Sequence, residues 1–547
     1  MFSFLKVFNL ETKSTINNFI KHNKSTFSKK EYFKKAKSEI LIEFNAFYPT
    51  HLSMSYLSNV LAERNRSEIT AFFNYSIIAA PLNPNILNKI KWFIGNLFSL
   101  ATFKIYRSFG VNKILRPITS KTHKKNADKC YREIIKTTKC KQDVLKICID
   151  GVQLGDLIYD TYLKTLRKPT LDIEDNKFKK MLHDFLCLYF FWKEYFDNHK
   201  ISVIIGVHSS YSYALPLRVA IKKNIPTYAL RGTWSCTKLT KGAMSAFGNY
   251  FEYPEIYNKL DDQLKKKGLL LAKKNLDLRI SGVSGVKTHL GMTDKSAFNK
   301  IKMKTLIKPS QNIKILIVPH DFFDAVHNFG ETIFADFYEW IEFLGEMSEK
   351  TNYDWYIKNR PNYEGKFQLY QPHTNEVIQK FVEKYKRIKL LPNDYSHLQI
   401  IEEGINFVFT CYGSVGVEYP LFNIPVVNAT ATNPHFRYNF NLHPKTINEY
   451  ENIIYKLSDI KLNINKNEIY EYYFIRHIFT DKNWLIEDVN EMMNFVGGYD
   501  GQWTTKFFEY WINKFDMKKH KKIFDTLDRF FDSNSNFISI EHTKKNI

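Results

Sequence analysis

The sequence contains no CxxC pair. Its six cysteines, Cys130, Cys140, Cys148, Cys187, Cys236 and Cys411, are scattered, and several sit in apolar runs such as DFLCLYF. That spacing argues against a disulfide framework and reads as reduced, buried thiols of a cytoplasmic protein. A signal-peptide core is missing as well: MFSFLKVFNLETKS carries charge within its first residues and no cleavage site, so export is not expected. No run is long enough to span a bilayer, which takes about 20 apolar residues; the longest, WFIGNLFSLATF, covers only Trp92 to Phe103. No long low-complexity tract interrupts the chain, and disorder is expected only at its ends. Acidic residues are in deficit, with 56 Asp and Glu against 79 Lys and Arg, a formal net charge of +23. Such a charge suits nucleic acid, an anionic membrane or an anionic substrate. The excess is dispersed lysine, and no zinc-finger spacing, RNP-like strand or basic region with heptads accompanies it, so nucleic acid is not an expected partner.

What is present is an ordinary globular composition, 44% hydrophobic and 25% charged, over 547 residues. That length calls for two to four domains. Lysine and arginine flank the Trp92–Phe103 run at Lys89, Lys91, Lys104, Arg107, Lys113 and Arg116, so a helix there suits an anionic interface as well as a place on its own domain.

Short apolar runs alternate with helical patterns in two series, the signature of parallel α/β units. After a basic leader (1–38), the first series reads ILIEFN (40–45), a helix over 51–64, EITAFFNY (68–75), VLKICIDG (144–151), a helix over 178–199, ISVIIGVH (201–208), a helix over 213–223 and IPTYAL (225–230). It defines an expected N-terminal Rossmann-like domain at 39–280. A Gly-, Ser- and Lys-rich linker (281–311) precedes the second series: IKILIVPH (313–320), a helix over 333–350, DWYIKNRP (354–361), a helix over 375–385, RIKLLP (387–392), a helix at 397–403, NFVFT (406–410), a helix over 414–422 and IPVVNA (424–429). This is the expected C-terminal Rossmann-like domain, 312–450, followed by a helical extension, 451–547.

Ligands of open parallel sheets bind beyond the carboxyl ends of the strands. In the second series these positions hold His320, Asp321, Lys358, Arg360, Asn393 to His397, and Cys411 to Gly416. They are polar, cationic or glycine, as a phosphorylated ligand requires. Gly413 and Gly416 bracket Ser414 at an expected helix start, where backbone N–H groups bind anions; a tight strand-to-helix turn explains the same glycines without a ligand. Glu418, one turn on, can accept the hydroxyls of a ribose. In the first series, GDLIYD places Asp156 and Asp160 one helical turn apart, and His208 ends a strand. Asp156 and His208 are the candidates for catalysis, although Asp156 also suits a plain helix N-terminus. His320, Asp321, Asp324 and His327 lie close in sequence, but a loop spacing of this kind does not define a metal site.

These segments resemble the GT-B glycosyltransferases, and most closely their capsule and surface-polysaccharide branch with its Kdo-transferase-like and CDP-glycerol-transferase-like members. Glu418 stands seven residues before Pro425, the spacing of the family's Glu and G-x-P-V-V turn. Asn423 replaces the turn's Gly, a change Asn tolerates because it also enters the left-handed region. YIKNRP is similar to the family's Lys-x-His-Pro segment with Arg360 in place of the His, which removes a titratable group. DYSH (394–397), His443-Pro444 and GDLIYD also resemble segments of that branch. The resemblance implies two Rossmann-like domains facing a cleft, the N-terminal one (39–280) binding the acceptor and the C-terminal one (312–450) the nucleotide sugar, with donor contacts from His320, Lys358, Arg360, His397, Gly413, Ser414 and Glu418. It further implies no bound metal and no cofactor beyond a nucleotide-sugar co-substrate.

The expected function is therefore transfer of a sugar from a nucleotide donor to a surface polysaccharide or glycolipid, in the cytoplasm or at the inner membrane face. Asp156 or His208 would remove the acceptor proton. A sugar-nucleotide epimerase of the same architecture and a non-catalytic scaffold of a glycan-assembly complex are the alternatives.

Overall fold

The computed structural model describes residues 13–27, 36–73, 86–98, 102–283, 296–361, 371–480 and 483–545. The rest of the expected basic leader, residues 284–295 of the expected linker, Asn74 and Tyr75 of the EITAFFNY run and residues 99–101 of the apolar run lie outside them.

The chain folds into two units. Among the described residues, the first holds those up to Thr165, Asp172–Asn249 and those from Thr480 onward, and the second holds Leu166–Leu171 and Tyr250–Phe479. The described residues of the stretch 281–311, read as a linker, thus fall inside the second unit, and the helical stretch after 451 is shared. Its early helices, such as Lys466–Tyr473, belong to the second unit. Its late helices, Lys506–Lys514 and Met517–Asp532, return to the first. There Phe508 stacks on Phe19 of helix Lys13–Phe27 at 3.9 Å, and His520 bonds Tyr56. Apolar surface on the N-terminal helix, rather than proximity in sequence, decides where the chain end is buried.

The first unit is built on strands β1 (Glu39–Phe44), β2 (Glu68–Phe73) and β3 (Val111–Leu115), then a small hairpin, β4 (Cys148–Ile149) and β5 (Val152–Gln153), then β6 (Ile201–Gly206), β7 (Thr227–Leu230) and β8 (Cys236–Leu239). The main sheet runs β3-β2-β1-β6-β7-β8, parallel except for the antiparallel β7–β8 pair. EILIEF of β1 is buried almost throughout, as a central parallel strand covered on both faces must be. β3 escapes the sequence pattern because Asn112 and Lys113 interrupt its apolar residues, which an edge strand allows.

One expected strand is corrected. Residues 144–151 are the end of helix Lys141–Leu145 and the first arm of the β4–β5 hairpin. Asp143 takes the free N–H groups of Lys139 and Cys140 and starts the helix. Asp150 and Gly151, at φ 52° and 75°, then reverse the chain in two residues, the usual Asp-Gly hairpin turn. The cysteines there are correspondingly not all buried: Cys140 and Cys148 are exposed, while Cys187, Cys236 and Cys411 are buried.

The second unit carries β9 (Lys314–Ile317), β10 (Asp354–Lys358), β11 (Ile388–Leu391), β12 (Phe407–Thr410) and β13 (Val426–Asn428), all parallel, in the order β11-β10-β9-β12-β13. Leu316, Tyr356, Val408, Val426 and Ile400 form its core. Each sheet proceeds outward from its first strand in one direction, then returns to the other side of that strand. This is the doubly wound Rossmann order, with its switch point between β1 and β6 in one unit and between β9 and β12 in the other. The α/β class, the two Rossmann-like, doubly wound units and the helical C-terminal segment are as the sequence patterns led us to expect. No helix of the described residues is long and apolar enough to cross a membrane.

Several helix boundaries shift, two of them for a plain local reason. The helix expected from 333 starts at Phe337, where Asp336 caps it by accepting from the Glu339 N–H. The one expected over 414–422 is a single α turn, Val415–Glu418, followed by a 3-10 turn, Tyr419–Phe422, since Pro420 has no N–H to continue the ladder. Asn423 ends it at φ 61°, in the left-handed region where the sequence put it.

Candidate functional site

The switch point of the second unit lies between the loops that follow β9 and β12. His320, just past β9, is half-buried there against β12: its Nε2 is 3.2 Å from Thr410 Oγ1 and accepts from the Tyr412 N–H at 3.3 Å. Accepting on Nε2 leaves the proton on Nδ1. Burial, with Arg360 nearby, lowers the His320 pKa to about 3, so the ring is neutral and serves as a tie between the two loops.

The Gly413–Gly416 turn follows. A Cβ on Gly413 would stand 2.8 Å from Thr410 Oγ1, and one on Gly416 would stand 2.7 Å from His435 Nε2. Close packing within the unit therefore already requires both glycines, without any phosphate. Ser414 between them is exposed. With one α turn behind it, this terminus has little dipole to offer, so an anion here has to be held by backbone N–H groups and by cations.

Glu418 is not an open carboxylate. It is almost fully buried, and its Oε1 accepts from Arg279 Nε at 2.6 Å. Arg279 comes from the last turn of helix Asp262–Ile280. A ribose on Glu418 would use the other oxygen or displace the guanidinium. Next to it, Lys358 at the end of β10 is 1% exposed and donates to the Asn359 carbonyl at 3.1 Å. Burial pulls its pKa down to about 7, against the pull of Asp394 and Glu418.

The remaining donor candidates are similarly engaged. Arg360 pairs with Asp321 at 2.6 Å, and Asp321 also accepts from Thr374. His397 is buried, with Nδ1 2.6 Å from the Tyr419 hydroxyl and its ring stacked on Phe298, and burial holds its pKa well below the imidazole range. The structure thus gathers Lys358, Glu418 and His397 with Tyr419 in one buried polar group, and sets His320, Gly413 and Ser414 beside the β12 loop.

Sequence reasoning missed three residues in this unit. Arg279 is 139 positions from its partner, and no local pattern reveals it. His435 abuts Gly416; its Nδ1 lies 3.3 Å from Asn441 Nδ2, and its buried Nε2 has no partner among the described residues. Arg476 lies in a π-helical turn, Phe474–Phe479, a local form frequent at functional sites. Its guanidinium is 5.9 Å from the rings of both Phe329 and Tyr472. Phe329 in turn packs on Tyr412, and Tyr472 on His435. The titrating neighbours of Arg476 are Tyr253, whose hydroxyl accepts a hydrogen bond from the guanidinium, Tyr472, Tyr250 and His435, and among the described residues no carboxylate pairs with it. A lone cation within the aromatic run YYFIRHIF is the signal that could have found it.

In the first unit, β6 ends at the switch point with His208 exposed beside Tyr213, ring centroids 5.2 Å apart. Asp156, in the first turn of helix Gly155–Leu166, is bound to Arg218 of the following βα unit at 2.5 Å. Glu43, buried at the end of β1, accepts the Val207 N–H at 2.8 Å and fixes the β6 terminus. Among the described residues no group of three or more His, Cys, Asp or Glu side chains is placed to hold a metal.

No protein-family model matches the chain, and no curated protein matches it. Solved structures similar in outline include the UDP-GlcNAc 2-epimerase of Neisseria meningitidis bound to UDP-GlcNAc, at 10% identity over 80% of this chain and 98% of that one, TM-score 0.24. A glycosyltransferase of Rickettsia africae ESF-5 matches at 9% identity over 81% and 94%, TM-score 0.23. A UGT transferase of Siraitia grosvenorii in complex with UDP matches at 12% over 87% and 100%, TM-score 0.22. Likenesses of this size carry no argument about activity, and the fold rests on the strand orders above.

Proposed function

We propose that the chain is a nucleotide-sugar-dependent glycosyltransferase of the surface-polysaccharide type, with the donor held by the second unit. The observation that supports it is Arg476: a guanidinium without a carboxylate partner, one ring away from Tyr412 and from His435, beside the turn at the switch point. A cation so placed suits the diphosphate or phosphate of a nucleotide sugar, and stabilises the negative charge that develops on the leaving group. The exposed Ser414 and the Gly413 backbone line the same turn. Glu418, oriented by Arg279, offers its second oxygen to a ribose, and Lys358 adds charge when a phosphate raises its proton affinity. His320, Arg360 and His397 act here as supports of the loops.

On the acceptor side His208 is the proposed base, since the Asp156 carboxylate is already committed to Arg218. The imidazole takes the proton of the acceptor hydroxyl as its oxygen bonds to the anomeric carbon and the bond to the phosphate breaks. The acceptor is a polysaccharide or glycolipid hydroxyl.

A thermal-shift series with UDP, CDP, GDP and CMP tests the reading. One nucleotide at about a hundred times its Kd should stabilise the chain by about 2.7 kcal/mol, and Arg476→Gln should abolish the shift. No shift with any nucleotide refutes a donor site. Isomerised donor formed without acceptor would replace the transferase by an epimerase, and binding without turnover on any acceptor would leave a scaffold.

A further inference from the structure

Helix Ile86–Leu97 in the first unit has two unlike faces. Trp92, 6% exposed, is set into the domain against Phe44, Phe73 and Phe103 at 5.1 to 5.6 Å. On the other side Ile90, Phe93, Ile94 and Leu97 are 41 to 65% exposed, and Phe98 just past the helix end is 66% exposed. Their spacing, i, i+3, i+4, i+7 and i+8, makes one continuous stripe. Burying a stripe of large apolar side chains is strongly favourable, and single exposed residues elsewhere need no such explanation.

The charge around the stripe says what covers it. Between Glu68 and Asp128 the sequence holds nine Lys and Arg and no carboxylate. Arg107 donates to Asn96 of the same helix at 2.8 Å, which keeps a guanidinium at its flank, and Lys104 is exposed nearby. At 12 residues the helix is about 18 Å long, too short to span a bilayer. Its composition is instead that of a helix lying in an interface. A second copy docked through the same face would set these cations against their own counterparts across a two-fold axis. Anionic headgroups meet them with the opposite sign.

We propose that this helix docks the chain on an anionic lipid surface, its apolar stripe entering the acyl boundary and its flanking cations facing the headgroups. The proposal does not depend on the nucleotide reading. The test is flotation of the full chain with vesicles of equimolar phosphatidylglycerol and phosphatidylcholine, against pure phosphatidylcholine. The chain should float with the former, and raised salt should weaken it, as exposed charges are screened. Phe93→Glu with Leu97→Glu should lower partitioning by about tenfold or more with unchanged melting temperature, because both side chains are exposed. Ile301→Glu, an equally exposed apolar site in the second unit, should leave partitioning as it is. Failure to float with anionic vesicles, or undiminished flotation of the double variant, overturns the proposal. So does a concentration-dependent dimer that the double variant abolishes while vesicles bind nothing, which would make a second copy the occupant.

Discussion

Replacing Lys358 by Met probes the buried group beside Glu418 without any ligand. The Lys358 side chain is buried, and its pKa falls from 10.5 to about 7. At 1.36 kcal/mol per pH unit that fall corresponds to about 5 kcal/mol. Between pH 7 and 10.5 the unfolded chain holds this proton and the folded chain does not. The unfolded state therefore binds more protons, and stability rises with pH through the window. Below pH 7 both states are charged and the folded state bears the whole cost of the buried ammonium; above 10.5 both are neutral and the cost is gone. Met carries no such cost at any pH. From pH 7 to 9.5 the wild type should thus gain about 3 kcal/mol relative to Lys358→Met. For a unit of this size 1 kcal/mol moves the melting point by about 2 to 4 °C. Other titrating groups are common to both proteins, so the assay is the difference between their melting temperatures at steps of pH. Two parallel curves would refute a buried, neutral-leaning lysine. A binding nucleotide phosphate should restore the ammonium, so nucleotide binding near pH 8 should take up protons, measurable by calorimetry in buffers of different ionisation enthalpy.

Arg279→Met leaves the Glu418 carboxylate buried and unpaired and should cost about 3 to 5 kcal/mol, most of it recovered in the Arg279→Met/Glu418→Met double variant; a denaturation cycle reads the coupling. Gly416→Ala should cost about 1 to 3 kcal/mol, because its Cβ meets His435 Nε2 and the imidazole has to move; equal melting of variant and wild type would contradict that packing. Asp156→Asn should lower the melting temperature by loosening Arg218, whereas His208→Ala should leave melting and nucleotide binding unchanged and abolish transfer to acceptor.

The alternation of apolar runs and helical patterns was sufficient to read most strands of both sheets, because a central parallel strand such as KILI or FVFT must be apolar on both faces. Strands freed from that demand were missed. β3 keeps Asn112 and Lys113 at an edge, and β8 pairs antiparallel beyond β7. VLKICIDG failed in the opposite direction: its apolar residues suit a strand, but Asp143 caps a helix within it and Asp150-Gly151 turns the chain too early. At the site, strand ends and glycines are local features, and they placed Gly413, Ser414 and His320 correctly on the switch-point loops. Partners distant in sequence were not legible. Arg279 on Glu418, Arg218 on Asp156 and Asp321 on Arg360 change what each group can do, and none leaves a trace near the residue it engages.

The second unit divides its chemistry in a way that bears on where acid–base work is done. His320 titrates near 3 and His443 near 4, and His397 and His435 lie well below the imidazole range, all chiefly through burial. An imidazole that weakly basic gains little by taking a proton at neutral pH, so these rings act by shape and hydrogen bonding. Arg360, where the GT-B resemblance implies a histidine, is paired with Asp321. What the unit supplies near neutrality is positive charge: Arg476 without a carboxylate and Lys358 poised to gain a proton beside an anion. Such a site suits stabilising a departing phosphate better than activating a hydroxyl. On the proposed reading, activation falls to His208, exposed at a strand end, because Asp156 is held by Arg218.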